Sequence, residues 1–134
     1  MDCIFCKIIK GEIPCTKVYE DDHVLSFLDL YPISLGHCLV MPKEHCEILP
    51  EMKNKDVLEV MKKITKVLLE FNGGVNVLQN NGRASGQGIN HVHFHLIPRN
   101  ENDGVRLLES RPRNFTEQEI KDIQDKIKTL LNKA

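Results

Sequence analysis

Three of the six histidines fall within five residues, in the run His91-Val92-His93-Phe94-His95-Leu96-Ile97. Successive side chains of a strand point to opposite faces. A strand here turns His91, His93 and His95 one way and Val92, Phe94 and Leu96 the other. The apolar face meets a core. The histidine face meets solvent, a metal or a ligand, because burying imidazoles without partners is costly. Two kinds of chemistry use such a row. His-x-His supplies two ligands to a metal, and all three histidines could serve a metalloenzyme in that way. Alternatively, one imidazole is a nucleophile and its neighbours hold a phosphate. The stretch from Asn80 to Asn90 (Asn-Asn-Gly-Arg-Ala-Ser-Gly-Gln-Gly-Ile-Asn) bears on the choice. Glycines let main-chain amides come close to an anion, and concave amide arrays bind phosphate. A glycine-rich loop adjoining the histidine row favours phosphate chemistry. Cys3-x-x-Cys6 is the one close pair among five cysteines. Alone, it reads equally as a metal half-site, a redox pair or chance neighbours.

The elements that must position these residues are legible from periodicity. Strands are expected at 17–20, 23–28, 37–41, 75–80 and 91–97, the third and fifth stopped by Pro42 and Pro98 and the fourth starting after Gly73-Gly74. Apolar residues at 57, 60, 61, 64, 67, 68 and 71 follow a helical period and predict a helix over 57–71, with Gly73 just beyond its end. Thr116-Glu117-Gln118-Glu119 matches a capping box. It opens a C-terminal helix, within 115–133, with Ile120, Ile123, Ile127, Leu130 and Leu131 on one face. This order predicts an α+β meander in a single domain spanning 1–134. Eighteen basic against nineteen acidic residues give a net charge of −1. That balance argues against nucleic-acid binding by charge. No apolar run is long enough for a bilayer span, so no membrane partner is expected. The N-terminus lacks the apolar core of a signal peptide, and an odd cysteine count argues against a disulfide framework. The expected location is the cytoplasm.

The run from His91 to Ile97 resembles the His-φ-His-φ-His-φ-φ signature of the histidine triad (HIT) nucleotide hydrolases and transferases, where φ is an apolar residue. Other segments carry the same likeness: Cys3-Ile4-Phe5-Cys6-Lys7-Ile8-Ile9 with Gly11-Glu12-Ile13-Pro14, Phe27-x-Asp29 with Pro32 and Gly36-His37, and Pro42-Lys43-x-His45. It covers residues 3–99 and is strongest to the Hint-like hydrolases. The resemblance implies a HIT-like fold, with a five-stranded antiparallel sheet, a central helix and a C-terminal helix.

It also implies a chemistry. His93 would attack the α-phosphorus of purine nucleoside phosphoramidates or related nucleoside monophosphate derivatives, giving a covalent nucleotidyl-histidine that water hydrolyses. His95 would contact the phosphate or assist the leaving group, and His37 would join them. Histidine at 95, where galactose-1-phosphate-type transferases carry glutamine, favours hydrolysis. Gln87 and amides near Gly86 and Gly88 would cradle the phosphate, with Asn80 on the same side. Asp29 would bind the ribose diol. Phe5, Ile8, Ile13, Phe27 and Leu30 would form the base slot, although Ile8 and Leu30 read equally as core. Cys3, Cys6, His45 and His91 would hold a structural zinc ion; no organic cofactor is implied. Gly88 stands where some members carry serine. The implied partners are a small-molecule nucleotide and a second copy of the chain, the homodimer joining two sheets edge to edge. Val60, Ile64 and Val67 are the expected seam residues on the outer side of the central helix. Two other functions compete, a dinucleoside polyphosphate hydrolase and a nucleotide-binding regulatory module with incidental hydrolysis.

Overall fold

The computed structural model describes residues 2–107 and 112–133 of the 134-residue chain. The first strands form where apolar residues lie between tight turns: β1 (Lys17–Glu20), β2 (Val24–Leu28) and β3 (Cys38–Pro42). Asp21 makes the first of these turns, its Oδ1 accepting the amides of His23 and Val24 at 2.7 and 2.8 Å. A short helix precedes them, α1 (Ile4–Ile9), which is too brief to show a periodic stripe in the sequence. The remaining α-helices and strands are α2 (Val57–Leu69), β4 (Gly74–Leu78), β5 (Phe94–Arg99) and α3 (Glu117–Lys133), with short 3-10 turns at Leu49–Glu51 and Arg83–Ser85. The capping box forms as expected. Thr116 Oγ1 accepts the Glu119 amide and Glu119 Oε1 accepts the Thr116 amide, both at 3.1 Å.

Five strands make one antiparallel sheet with the order β1-β2-β3-β5-β4. It is therefore not the expected meander. To bury its stripe, α2 must lie across the sheet, and that crossing carries the chain past one strand position. β4 lands at the edge, and β5 returns to fill the gap beside β3. His95 consequently sits in an inner strand, opposite Leu39 on one side and Leu78 on the other.

Both faces of the sheet are covered. Val57, Val60, Met61, Ile64 and Leu68 of α2 pack on Val24, Cys38, Val40 and Leu96. Phe5 and Ile8 of α1 pack on Leu25, Phe27, Leu39 and Met41. This corrects the expected seam. Val60 and Ile64 lie at the centre of the α2 stripe and are buried against their own sheet, whereas Val67 falls on its flank and is exposed with Leu58, Leu69 and Phe71. The apolar face of α3 is exposed along its whole length.

One strand boundary matters for the chemistry. β5 begins at Phe94, not at His91, because β3 offers main-chain partners only to residues 94–96. Beyond them Pro42 has no N–H to give. The Val92 amide donates instead to Cys46 O at 2.8 Å, and the His91 ring donates through Nε2 to Pro42 O at 2.8 Å.

Candidate active site

His93 and His95 keep the alternation expected of a strand. Phe94 and Leu96 go to the α2 face, while the His93 and His95 rings lie together, their centroids 5.1 Å apart. Phe5 walls this group, its ring edge-on to His93 at 5.0 Å. His93 Nδ1 lies 2.7 Å from the main-chain oxygen of His91. A carbonyl only accepts, so the proton of neutral His93 is on Nδ1 and the Nε2 lone pair is bare. Burial lowers the His93 pKa, opposed by that same hydrogen bond and by Asp29, and so favours the neutral ring. A neutral, oriented imidazole with one unshared lone pair is a competent nucleophile.

His37 enters from the residue before β3. Its Nε2 is 2.9 Å from His95 Nδ1. Asp29 Oδ2 stands beside the pair, 3.5 Å from His37 Nε2 and 3.9 Å from His95 Nδ1. Burial pushes His95 down to about 4, reinforced by His93 and His37 and opposed by Asp29. The loop that brings Asp29 and His37 together is tied at three points. The Asp29 amide donates to His37 O at 2.9 Å, the Tyr31 amide donates to Asp29 Oδ1 at 2.9 Å, and Ser34 Oγ donates to Pro98 O of β5 at 2.7 Å. Ile33 adds a fourth tie, its amide donating to His37 Nδ1 at 3.1 Å. Reading side-chain types misses these main-chain donors and acceptors, because they leave no mark in the residue identity.

The glycine-rich loop is built on two left-handed residues, Gly82 at φ +88° and Gly86 at φ +101°. Its shape is held by Gln87. The Gln87 amide group donates to Glu47 O at 2.7 Å and Ile89 O at 3.1 Å, and its oxygen accepts the Gly82 amide at 2.7 Å. The Gly86 amide closes the short turn onto Arg83 O at 3.0 Å. The donors expected to cradle phosphate at Gln87 and Gly86 are thus engaged within the loop. Gly88 is exposed, and none of the described residues takes its amide. Asn80 is half-buried beside Gly86, with Nδ2 3.7 Å from where a side chain at Gly86 would begin. Of the expected base slot, Phe5, Ile8 and Phe27 are buried core, Ile13 is half-buried and Leu30 is 77% exposed. A concavity of about 700 Å³ along the edge strand β4, lined by Val77, Arg99 and Leu107 among others, contains no histidine. Chemistry, not volume, locates this site.

A second cluster adjoins the first through His91. Sγ of Cys3 and Cys6 and Nδ1 of His45 and His91 all lie within 4.8 Å of one another. The separations are 3.6 Å for Cys3 to His91, 3.6 Å for Cys6 to His91, 3.3 Å for Cys6 to His45 and 3.2 Å for His45 to His91. A tetrahedral zinc ion with ordinary bond lengths needs S···N edges of about 3.5 Å and an N···N edge of about 3.3 Å. The residues fit that demand. His91 is also prepared for it, because its Nε2–H on Pro42 O leaves the Nδ1 lone pair facing the cluster. This group could hold a metal ion.

A model of the HIT domain matches residues 10–102. The adenosine 5'-monophosphoramidase of Schizosaccharomyces pombe is 50% identical over 109 residues, which cover 78% of this chain and 80% of that protein. Among solved structures, a HIT-family protein from Bacillus subtilis aligns with a TM-score of 0.88 at 36% identity, over 96% of each chain. A zinc-bound histidine triad protein from Mycobacterium smegmatis aligns with a TM-score of 0.69 at 30% identity, over 84% of this chain and 86% of that one.

Proposed function

The chain belongs to the HIT domain family, and from that premise we propose that it is a nucleotide hydrolase acting at the α-phosphate of purine nucleoside phosphoramidates or related nucleoside monophosphate derivatives. One observation carries the chemistry: His93 spends Nδ1–H on the His91 carbonyl at 2.7 Å and keeps Nε2 free beside His95. In the first step Nε2 bonds to phosphorus, the P–N bond to the amine breaks, and the amine takes a proton from water. In the second, water attacks phosphorus and yields a proton to the hydroxide left by the first step, while the P–Nε2 bond returns its electron pair to the ring. The Nδ1–H bond to the carbonyl stabilises the positive charge that the ring carries between the steps. Asp29 binds the ribose, Gly88 offers its amide to the phosphate, and Ile13 and Leu30 flank the base above the buried floor of Phe5, Ile8 and Phe27. The named activity of the fission yeast relative supports this substrate class.

In this reading Cys3, Cys6, His45 and His91 hold a structural zinc ion, which cross-links α1 to the segment entering β5 that carries the nucleophile. The edge lengths of the cluster and the zinc-bound neighbour support it. The full chain acts as one cytoplasmic domain and pairs as a homodimer. β4 is an open sheet edge, and soluble proteins protect such edges. Val77 on it and Val67 and Phe71 near it are exposed apolar residues for a second copy to cover.

Side-by-side turnover of adenosine phosphoramidate and diadenosine tetraphosphate tests the substrate. Preference for the phosphoramidate is expected, and preference for the dinucleotide would overturn it. Elemental analysis should find one zinc per chain, and light scattering should give twice the 15.4 kDa chain mass. Metal-free protein of unchanged stability, or an active monomer, would refute those parts.

A further inference from the structure

The Asp29–His37 loop fixes more than the positions of two side chains. The Ile33 amide donates to His37 Nδ1, which demands a lone pair there. The single proton of neutral His37 is therefore on Nε2. Nε2 points at His95 Nδ1 across 2.9 Å, so His95 Nδ1 is the acceptor and the His95 proton is on Nε2. The Asp29 carboxylate, with Oδ2 3.5 Å from His37 Nε2, favours the same arrangement. None of the described residues takes His95 Nε2, and the half-buried ring presents that N–H beside His93.

The same amide closes two alternatives. A His95 imidazolium would set its Nδ1–H against the His37 Nε2–H. Relief would require His37 to carry its proton on Nδ1, where it would meet the Ile33 N–H. A metal ion among Asp29, His37 and His95, whose ligand atoms also cluster, would need a bare His37 Nε2 and meets the same conflict. Ligating histidines direct their second N–H at an acceptor, as His91 does, whereas the second nitrogen of His37 faces a donor.

We propose that the main-chain amide of Ile33, acting through His37, locks His95 as a neutral imidazole whose Nε2–H is a fixed hydrogen-bond donor to the transferring phosphoryl oxygens and not a source of protons for the leaving group. This rests on the reading of the chain as a nucleotidyl hydrolase. Burial of His95 acts in the same direction as the lock. His37 and Ile33 are positioning residues, since only His95 would touch the substrate. Donors placed where phosphoryl charge gathers need no proton transfer to act.

Nitrogen-15 NMR of the free protein at neutral pH should show the Nε2–H tautomer at both His37 and His95. A Nδ1–H tautomer or an imidazolium at His95 would overturn the proposal, whatever the protein hydrolyses. Ile33→Pro removes the one N–H. It should mix the His95 tautomers and lower kcat about a hundredfold, with KM within about threefold. A wild-type tautomer pattern with wild-type kcat in that variant would refute the lock, and if the variant does not fold, the spectrum of the native protein decides. His95→Gln keeps an N–H donor but cannot release a proton, so it should retain more of kcat than His95→Ala does, whereas loss of a general acid would lower both alike by about 10²–10⁴-fold. Correct tautomers in a protein that turns over no nucleotide would defeat the functional reading and leave the lock standing.

Discussion

Phe5 joins the stability of this fold to its chemistry, and Phe5→Ala should reveal both. Its ring is 4% exposed, edge-on to Phe27 at 5.8 Å, to His93 at 5.0 Å and to His91 at 6.0 Å. Truncating a buried phenylalanine costs about 3–5 kcal/mol in transfer and cavity terms. A value near 4 is expected, because α1 is six residues long and meets the sheet through Phe5 and Ile8, so it can settle only slightly into the gap. Unfolding entropy of about 2.1 cal/mol/K per residue over 134 residues converts this to a fall in Tm of about 14 °C. Urea denaturation measures the free energy and calorimetry the Tm. Phe5→Leu keeps most of the volume and should lose about 1.5 kcal/mol or less, yet it removes the ring edge that walls His93. It should lower kcat more than it raises KM. A loss below about 1.5 kcal/mol for Phe5→Ala would show that α1 is not anchored by this ring. A raised KM with unchanged kcat in Phe5→Leu would show that Phe5 serves only as the floor beneath the base and does not orient His93.

The Ser26 hydroxyl is fully buried on β2 without a partner among the described residues, so Ser26→Ala should raise stability by about 1 kcal/mol in urea titration; destabilisation would show a hidden partner. Burial lowers the pKa values of His37 and His95, the latter to about 4 from an ordinary 6.5. A lowered histidine pKa means that the unfolded chain binds protons first, so stability should be level above pH 6.5 and fall as pH drops from there towards 4. Gain of stability on acidification would contradict the burial of these rings. Gly86→Ala forces a side chain into a left-handed residue at φ +101° and should cost about 1–3 kcal/mol. At Gly88 nothing lies within 4 Å of an added Cβ, so Gly88→Ser should melt within about 2 °C of the native chain, and equal losses at both sites would refute the difference.

Much of this site is legible in the residues. His93, His95 and their apolar alternates follow from strand parity, and the C-terminal helix from its capping box. Cys3, Cys6, His45 and His91 come together although they are scattered along the chain, as the family likeness implied. What the residues hide is main-chain. The start of β5 depends on which carbonyls β3 leaves unpaired, and the His37 tautomer depends on an Ile33 amide that any residue but proline would supply. The place of β5 between β3 and β4 was hidden for another reason: periodicity marks the strands but says nothing of where α2 crosses. Gln87 shows the limit for polar side chains, since its type suits a phosphate contact and a loop brace equally, and only its partners tell which it makes. Val60 and Ile64 show the same limit for apolar ones, because a stripe does not say which of its members meets the sheet.

During turnover His93 Nε2 is expected to bond covalently to phosphorus. Rapid acid- or base-quenched intact mass spectrometry during turnover of a slow nucleoside phosphoramidate measures this directly. One nucleoside monophosphate should add per chain, be stable in base and labile in acid as a phosphoramidate linkage is, and map to the peptide that contains His93. His93→Ala should bind nucleotide within about tenfold of the native affinity and form no adduct. An adduct that persists in His93→Ala, or native turnover in which none accumulates under any quench while that variant keeps more than about one per cent of kcat, would contradict the account.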